Sequence, residues 1–177
     1  MRTTERSVQS TPEWYTEEME KPSSRKENFP LLSFERASVK DIETFVEIER
    51  SVGNSPTYSP TIDSEEALTE IENNVVYFIR ENEQIVGSVM YKMKAPDHAY
   101  ISGLAIRPDF QGRGIGKAAM KKVLAELSAV PTIDLVTHPN NVRAIALYTS
   151  LGFTLGERIE NYFDDGEPRV VMTLTKV

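Results

Sequence analysis

The spacing of apolar residues along the chain changes several times, and each change predicts an element. Residues 31–37, Leu-Leu-Ser-Phe-Glu-Arg-Ala, read as a first strand. Ser38 stands three residues before Asp41 in the manner of a capping box, and Ile42, Phe45, Val46 and Ile48-Glu49 continue at helical spacing until Gly53. Residues 54–60, Asn-Ser-Pro-Thr-Tyr-Ser-Pro, are too proline-rich for regular structure and predict a loop; Asp63 or Ser64 then caps a second helix to about Asn73. Apolar runs at 75–80 and 85–91 flank polar residues 81–84 and predict an antiparallel hairpin. A strand at 99–106, a helix at about 114–129 and a strand at 132–137 have the spacing of a βαβ unit, whose strands are parallel with a right-handed crossover. Ala118, Ala119, Val123, Leu124 and Leu127 mark that helix's inner face, and Lys117, Lys121 and Lys122 its outer one. Pro139-Asn140-Asn141 opens a last helix that Gly152 ends, and 153–155 and 170–174 predict two closing strands. The order β-α-α-β-β-β-α-β-α-β-β implies an α/β fold, a mixed sheet with helices on both faces.

Composition sets the boundaries of this picture. The 177 residues, 40% hydrophobic, suit one domain with some excess. The excess is residues 1–29, rich in Ser, Thr, Pro and charged side chains, which predict a poorly ordered extension ahead of a domain at 30–177. With no cysteine and two histidines, His98 and His138, neither a thiol nucleophile nor a His-built metal site is expected. The formal charge of −7 argues against a nucleic-acid surface and mildly favours cationic partners such as amines. No apolar run reaches the roughly 20 residues that span a bilayer, and no signal peptide is evident, so a cytoplasmic protein without membrane contact is expected.

The candidate chemistry centres on Gln111-Gly112-Arg113-Gly114-Ile115-Gly116, between the strand at 99–106 and the lysine-flanked helix. Alternate glycines remove Cβ atoms where backbone amides approach a ligand, and the helix start offers free N–H groups and its positive dipole end, a site for a pyrophosphate. A nucleoside-triphosphate loop needs glycine where Gln111 stands and Ser or Thr where Ala118 stands. A dinucleotide fingerprint fits Gly114-x-Gly116-x-x-Ala119 with Asp134 as ribose acid, but residues 107–113 separate the strand from the first glycine, and Asp134 lies in mid-strand.

A third pattern fits in register. Leu104-x-Ile106-x-Pro108-x-x-Gln111-Gly112-Arg113-Gly114-Ile115-Gly116 resembles the acetyl-CoA-binding motif of the GNAT superfamily of N-acetyltransferases, and Asn141-x-x-Ala144-Ile145-x-Leu147-Tyr148-x-x-x-Gly152-Phe153 is similar to its next signature. The resemblance covers about Leu32 to the C-terminus and implies acetyl-CoA as co-substrate, no metal, and that superfamily's fold. It implies that the amides of Gly112, Arg113, Gly114, Ile115, Gly116 and Lys117 bind the pyrophosphate, with Gln111 in the same turn and charge added by Arg113 and Lys117. The backbone of Leu104, Ala105 and Ile106 pairs with the pantetheine arm as an added strand. Asn141, Ala144 and Tyr148 face the same arm, Asn141 and Tyr148 being two turns, about 10.5 Å, apart. Tyr148 matches the general acid that protonates the leaving thiolate, and the Ile106 amide matches the oxyanion donor.

The base and the acceptor stay open. The ribosomal-protein alanine acetyltransferases, a close subgroup, carry a strand glutamate as base where this chain has Val136; Asp134, acting through water, is a substitute. The ending Tyr162 to Met172, with Asp165-Gly166-Glu167, resembles that of protein N-terminal acetyltransferases, which makes Tyr162 a substrate-binding candidate together with Tyr58 in the 54–60 loop. An α-amine of pKa about 7.7–8.0 is partly neutral at physiological pH whereas a lysine amine near 10.4 is not, so a missing base favours a peptide N-terminus. A polyamine or other small amine is the alternative, and a non-catalytic acyl-CoA sensor is the alternative of another class. A monomer or a homodimer is expected.

Overall fold

The computed structural model describes residues 31–53, 57–61 and 63–176. The extension predicted at 1–29 and residues 54–56 of the predicted loop lie outside the described residues. Among the described residues seven strands, β1 (Leu32–Arg36), β2 (Val75–Glu81), β3 (Gln84–Ala95), β4 (His98–Ile106), β5 (Thr132–Thr137), β6 (Thr154–Ile159) and β7 (Arg169–Thr175), form one sheet in the order β1-β2-β3-β4-β5-β7-β6. β4 and β5 are parallel and every other pair is antiparallel. The described residues also form four α-helices, α1 (Ile42–Val52), α2 (Ser64–Asn73), α3 (Ile115–Glu126) and α4 (Val142–Ser150), which complete the predicted order.

Local chemistry explains the helix starts. Ser38 Oγ and its amide both donate to the Asp41 carboxylate, at 2.8 and 2.9 Å, fixing the turn that leads into α1. The Asp63 carboxylate accepts from the amides of Glu65 and Glu66 and so satisfies two orphan donors of α2. Each sheet face then buries its own core. α1 and α2 cover one face with Phe45, Val46, Ile48, Val52, Ala67 and Ile71 against Val76, Phe78, Met90 and Ala105. α3 and α4 cover the other, with Ile115, Ala119, Met120, Val123 and Tyr148 among Val89, Ile101, Ile133, Leu135 and Met172.

Two elements run longer than the periodicity predicts. β3 reaches Ala95 through exposed Lys92, Met93 and Lys94, held by pairing with β4 rather than by burial. β6 extends to Ile159 through exposed Gly156, Glu157 and Arg158; it is an edge strand with a register shift between Leu155 and Arg158, and so lacks a buried face to imprint a pattern. Among the described residues no helix is long and apolar enough to cross a membrane.

Candidate active site

The site begins where the sheet comes apart. β4 and β5 pair from His98/Thr132 to Ile101/Leu135, and beyond that Leu104 and Ile106 have no partner on β5. The break coincides with a bulge: Tyr91 pairs with Ile101 but Met90 with Gly103, leaving Ser102 as the extra residue of β4. Ser102 Oγ donates to Asn74 Oδ1 at 2.8 Å, tying the bulge to the end of α2. The Arg107 amide donates to Val86 O on β3 at 2.9 Å. Successive residues of a strand point their N–H and C=O groups to opposite edges, so those of Leu104 and Ile106 face the unpaired edge. The Gln111 side-chain amide reaches that edge and donates to Ile106 O at 2.9 Å, joining the strand end to the glycine turn.

Gly112 (φ +74°) and Gly114 (φ +80°) adopt the left-handed backbone that aims the following amides outward, and Gly114 is the cap residue of α3. The amides of Ile115, Gly116 and Lys117 form the first turn of a twelve-residue helix and point at the mouth of the same opening, a cradle that suits a phosphate. A Cβ on Gly116 would make ordinary contacts, 3.6 Å from Leu104 and Leu147, so Gly116 marks where the turn meets the apolar walls of the opening.

From this cradle one continuous cleft of about 1590 Å³ runs between β4 and β5 to the far side of the sheet. Leu104, Ala105, Ile106, Gln111, Gly112, Gly114, Ile115, Gly116, Lys117, Asn141, Ala144, Tyr148 and Tyr58, all singled out from the sequence, line it. Arg113 and Tyr162 do not. The Arg113 guanidinium binds Glu81 at 2.7 Å and lies over the Phe110 ring, and Tyr162 lies close enough to Tyr100, a cleft residue, to raise its pKa, while its ring packs edge-on against Phe163. Asn141 is also a helix cap, its Oδ1 accepting from the Ala144 amide at 3.2 Å.

Tyr148 sits midway along the cleft on α4, 8% exposed, with its ring against Phe153. Its hydroxyl makes no hydrogen bond to a described residue, and burial alone pushes its pKa up to about 12. It therefore stays protonated and free to donate. Beyond it the cleft ends at residues 57–61 and the turn between β6 and β7. These two segments are latched together: Ser59 Oγ donates to the Asp165 carboxylate at 2.9 Å, and buried Arg169 donates to both Asp165 and Ser59 while stacking on Phe163.

The sequence reading missed one residue at this end. Glu49 of α1 is 1% exposed, and its carboxylate accepts from the Tyr58 hydroxyl at 2.9 and 3.1 Å and from the Thr61 amide at 3.3 Å. The signal was present, because Glu49 occupies the i+4 place between Phe45 and Val52 on the buried stripe of α1, where a charged residue has no packing reason to stand. Desolvation raises its pKa from 4.5 to about 7, the bonds from Tyr58 and Thr61 opposing this only in part, and Glu66 and Glu70 of α2 add to the rise. Because the folded protein binds this proton more tightly than the unfolded chain, stability falls as pH rises from about 4.5 through about 7. Glu49→Gln, compared with wild type by urea unfolding, should therefore gain up to about 3 kcal/mol in relative stability between pH 5 and pH 8.

The other base candidates are engaged elsewhere. Asp134 lies outside the cleft, bonded to His98 Nε2 at 2.6 Å and accepting from Thr173 Oγ1 at 2.8 Å. His138 lines the cleft, but its Nδ1 accepts from the Asn140 amide, which leaves Nε2–H to donate to Glu167 at 3.1 Å. Among the described residues no group of three His, Cys, Asp or Glu side chains is placed to hold a metal ion.

Comparison with known proteins bears on this arrangement. Residues 39–153 match the acetyltransferase (GNAT) family model. The ribosomal protein bS18-alanine N-acetyltransferase of Escherichia coli K12 is 36% identical over 83 residues, 44% of this chain and 56% of that protein, so the match spans little more than half of the relative. The crystal structure of the E. coli ribosomal-protein-S18-alanine N-acetyltransferase superposes with a TM-score of 0.70 at 23% identity, covering 82% of this chain and 94% of that one. The yncA protein of Salmonella typhimurium, solved with its cofactor acetyl-CoA, does so with a TM-score of 0.66 at 18% identity, covering 81% and 93%. At these identities the superpositions establish the fold.

Proposed function

The chain belongs to the acetyltransferase (GNAT) family, and from that premise we propose that it transfers the acetyl group of acetyl-CoA directly to the α-amine of a protein or peptide N-terminus, in a ternary complex without a covalent enzyme intermediate. The observation that carries this reading is the continuity of the cleft, which joins a phosphate cradle, an open strand edge and a buried, unengaged phenol to the chamber walled by residues 57–61 and the β6–β7 turn. The pyrophosphate rests on the amides following Gly112 and Gly114, and the pantetheine amides bond along the unpaired edge to the backbone of Leu104 and to the lone pair of Ile106 O that Gln111 leaves open, as a short extra strand, so that the Ile106 N–H stays available. The thioester then lies beside Tyr148. Attack by the amine forms a tetrahedral oxyanion, which the Ile106 N–H stabilises, and collapse expels a thiolate, which Tyr148 protonates.

The acceptor occupies the chamber walled by residues 57–61 and the β6–β7 turn. Tyr58 lines it directly, whereas Tyr162 supports the wall through Tyr100 and Phe163. Glu66 and Glu70 on this side attract a positively charged amine, which agrees with the net charge of −7. The relative's name, a ribosomal-protein alanine N-acetyltransferase, supports a protein α-amine over a small amine. The test is thiol release from acetyl-CoA with three groups of acceptors: peptides with free N-termini, polyamines, and N-terminally blocked peptides containing lysine. The expected result is turnover with the first group and products one acetyl group heavier at the α-amine. Turnover confined to polyamines would reassign the acceptor, and silence in all three would favour an acyl-CoA sensor.

A further inference from the structure

We propose that Glu49, reached through the hydroxyl of Tyr58, is the final proton acceptor for the incoming amine, an inference that rests on the acetyl-transfer reading above. A protonated amine cannot attack a thioester, so the acceptor chamber needs a group that takes a proton and can give it up again near neutral pH. Val136 of β5 lines the cleft without an ionisable group, and Asp134 and His138 are held by other partners. Of the remaining acids on the cleft, Asp165 is tied to Arg169 and Ser59, and the Glu70 carboxylate accepts from Asn74 at 2.8 Å. Glu66 is exposed on α2. Glu49 alone combines near-complete burial with a hydrogen-bonded path to the chamber, because Tyr58 lines the cleft and already points its proton at the carboxylate.

The path balances. The ammonium docks with an N–H directed at Tyr58 Oη. As that proton passes to Oη, the phenolic proton passes to a Glu49 carboxylate oxygen, and the carboxylate becomes a neutral acid. The freed lone pair on nitrogen forms the N–C bond while the thioester C=O bond opens to the oxyanion. When the C–S bond breaks, the thiolate takes the proton of Tyr148, and the second proton on nitrogen restores that phenol. Glu49 then releases its proton to solvent, so one proton leaves per acetyl group transferred. Tyr58 never becomes a free phenolate: burial and the adjoining Glu49 charge hold its own pKa well above the usual tyrosine value, which requires that one proton enter as the other leaves.

The groups facing Glu49 suit this role. Tyr58 and Thr61 approach from the loop, Glu66 and Glu70 act on it from α2, Lys92 of β3 acts on Glu70, and Tyr148 of α4 acts on Tyr58. The two neighbouring acids raise the proton affinity of Glu49 and draw in a cationic amine. Met90 of β3 and Ala105 of β4 line the same cleft as Glu49 and belong to the apolar core that α1 covers.

The test is the pH dependence of kcat/KM for the full chain, with acetyl-CoA and a peptide bearing a free N-terminal alanine, in wild type, Glu49→Gln, Glu49→Asp and Tyr58→Phe. Wild type, which docks the ammonium form, should lose activity as pH falls through about 7 with Glu49, whereas a variant without the acceptor depends on the neutral amine, whose limb lies near its own pKa of about 7.7–8.0. Glu49→Gln and Tyr58→Phe should abolish that lower limb and lower the rate about 10²-fold or more, while Glu49→Asp should restore the limb with part of the rate. Acetyl-CoA affinity, by calorimetry, should be the same in all four, which a collapsed site would not preserve. If Glu49→Gln misfolds, Tyr58→Phe, which retains the ring, carries the same prediction. A wild-type profile and rate in either variant overturns the proton path and leaves acetyl transfer standing; no turnover by wild type with the peptide overturns the acceptor reading and this inference together.

Discussion

Replacing Tyr148 with phenylalanine is expected to lower kcat by about 10²–10⁴ while leaving acetyl-CoA affinity within a few-fold. The change removes one oxygen from a side chain that otherwise stays buried on α4 against Phe153, so packing is conserved. Among the described residues, the lost oxygen carries the proton donor that stands beside the thioester sulfur in the proposed pose. A thiolate must then leave unprotonated or take a proton from water, and collapse becomes limiting. Because burial alone raises this phenol to about 12, the wild-type donor stays charged with its proton throughout the physiological range. Single-turnover kinetics with a free-N-terminus peptide read the loss, and calorimetry with acetyl-CoA checks that binding is intact. An unchanged kcat would remove Tyr148 from the reaction.

Gly114→Val is expected to weaken acetyl-CoA binding by about 10²-fold or more. Gly114 holds φ at +80° as the cap of α3, a conformation that costs a β-branched residue on the order of 1–3 kcal/mol. Relief of that strain rotates the amides of the first helical turn away from the cleft. Each charge-assisted bond to a pyrophosphate contributes roughly 1.5–3 kcal/mol, so losing two accounts for a fall of that size. The rest of α3 is anchored by Ile115, Ala119, Met120 and Val123, so the fold survives the substitution. Calorimetry on the variant, with circular dichroism as the control for folding, separates a lost cradle from a lost domain.

The two halves of the site differed in how legible they were. The cofactor half is local: Leu104, Ile106, the glycine turn and α3 lie within a short run of chain, so strand period, proline, glycines and helix period can be read in order. The boundaries of β5 and α2 follow from the same clarity, since both alternate or cap cleanly. The acceptor half is assembled from α1, the loop at 57–61, α2, α4 and the turn before β7, which no single window contains. Ser59, Asp165 and Arg169 meet across about a hundred residues, and nothing in their local spacing announces it. Glu49 was visible only as an acid on an apolar stripe, a signal that gains meaning once Tyr58 and Thr61 are seen to close over it. β6 was cut short because exposed edge residues carry no burial pattern.

The account stands on acetyl-CoA lying between β4 and β5, and titration of the isotope-labelled protein followed by amide NMR tests this directly. The predicted result is a saturable set of shifts concentrated on the amides of Leu104 and Ile106 and of Gly112 through Lys117, with smaller changes at Asn141 and Ala144. Saturable shifts confined to other surfaces, or none at millimolar acetyl-CoA, would contradict it.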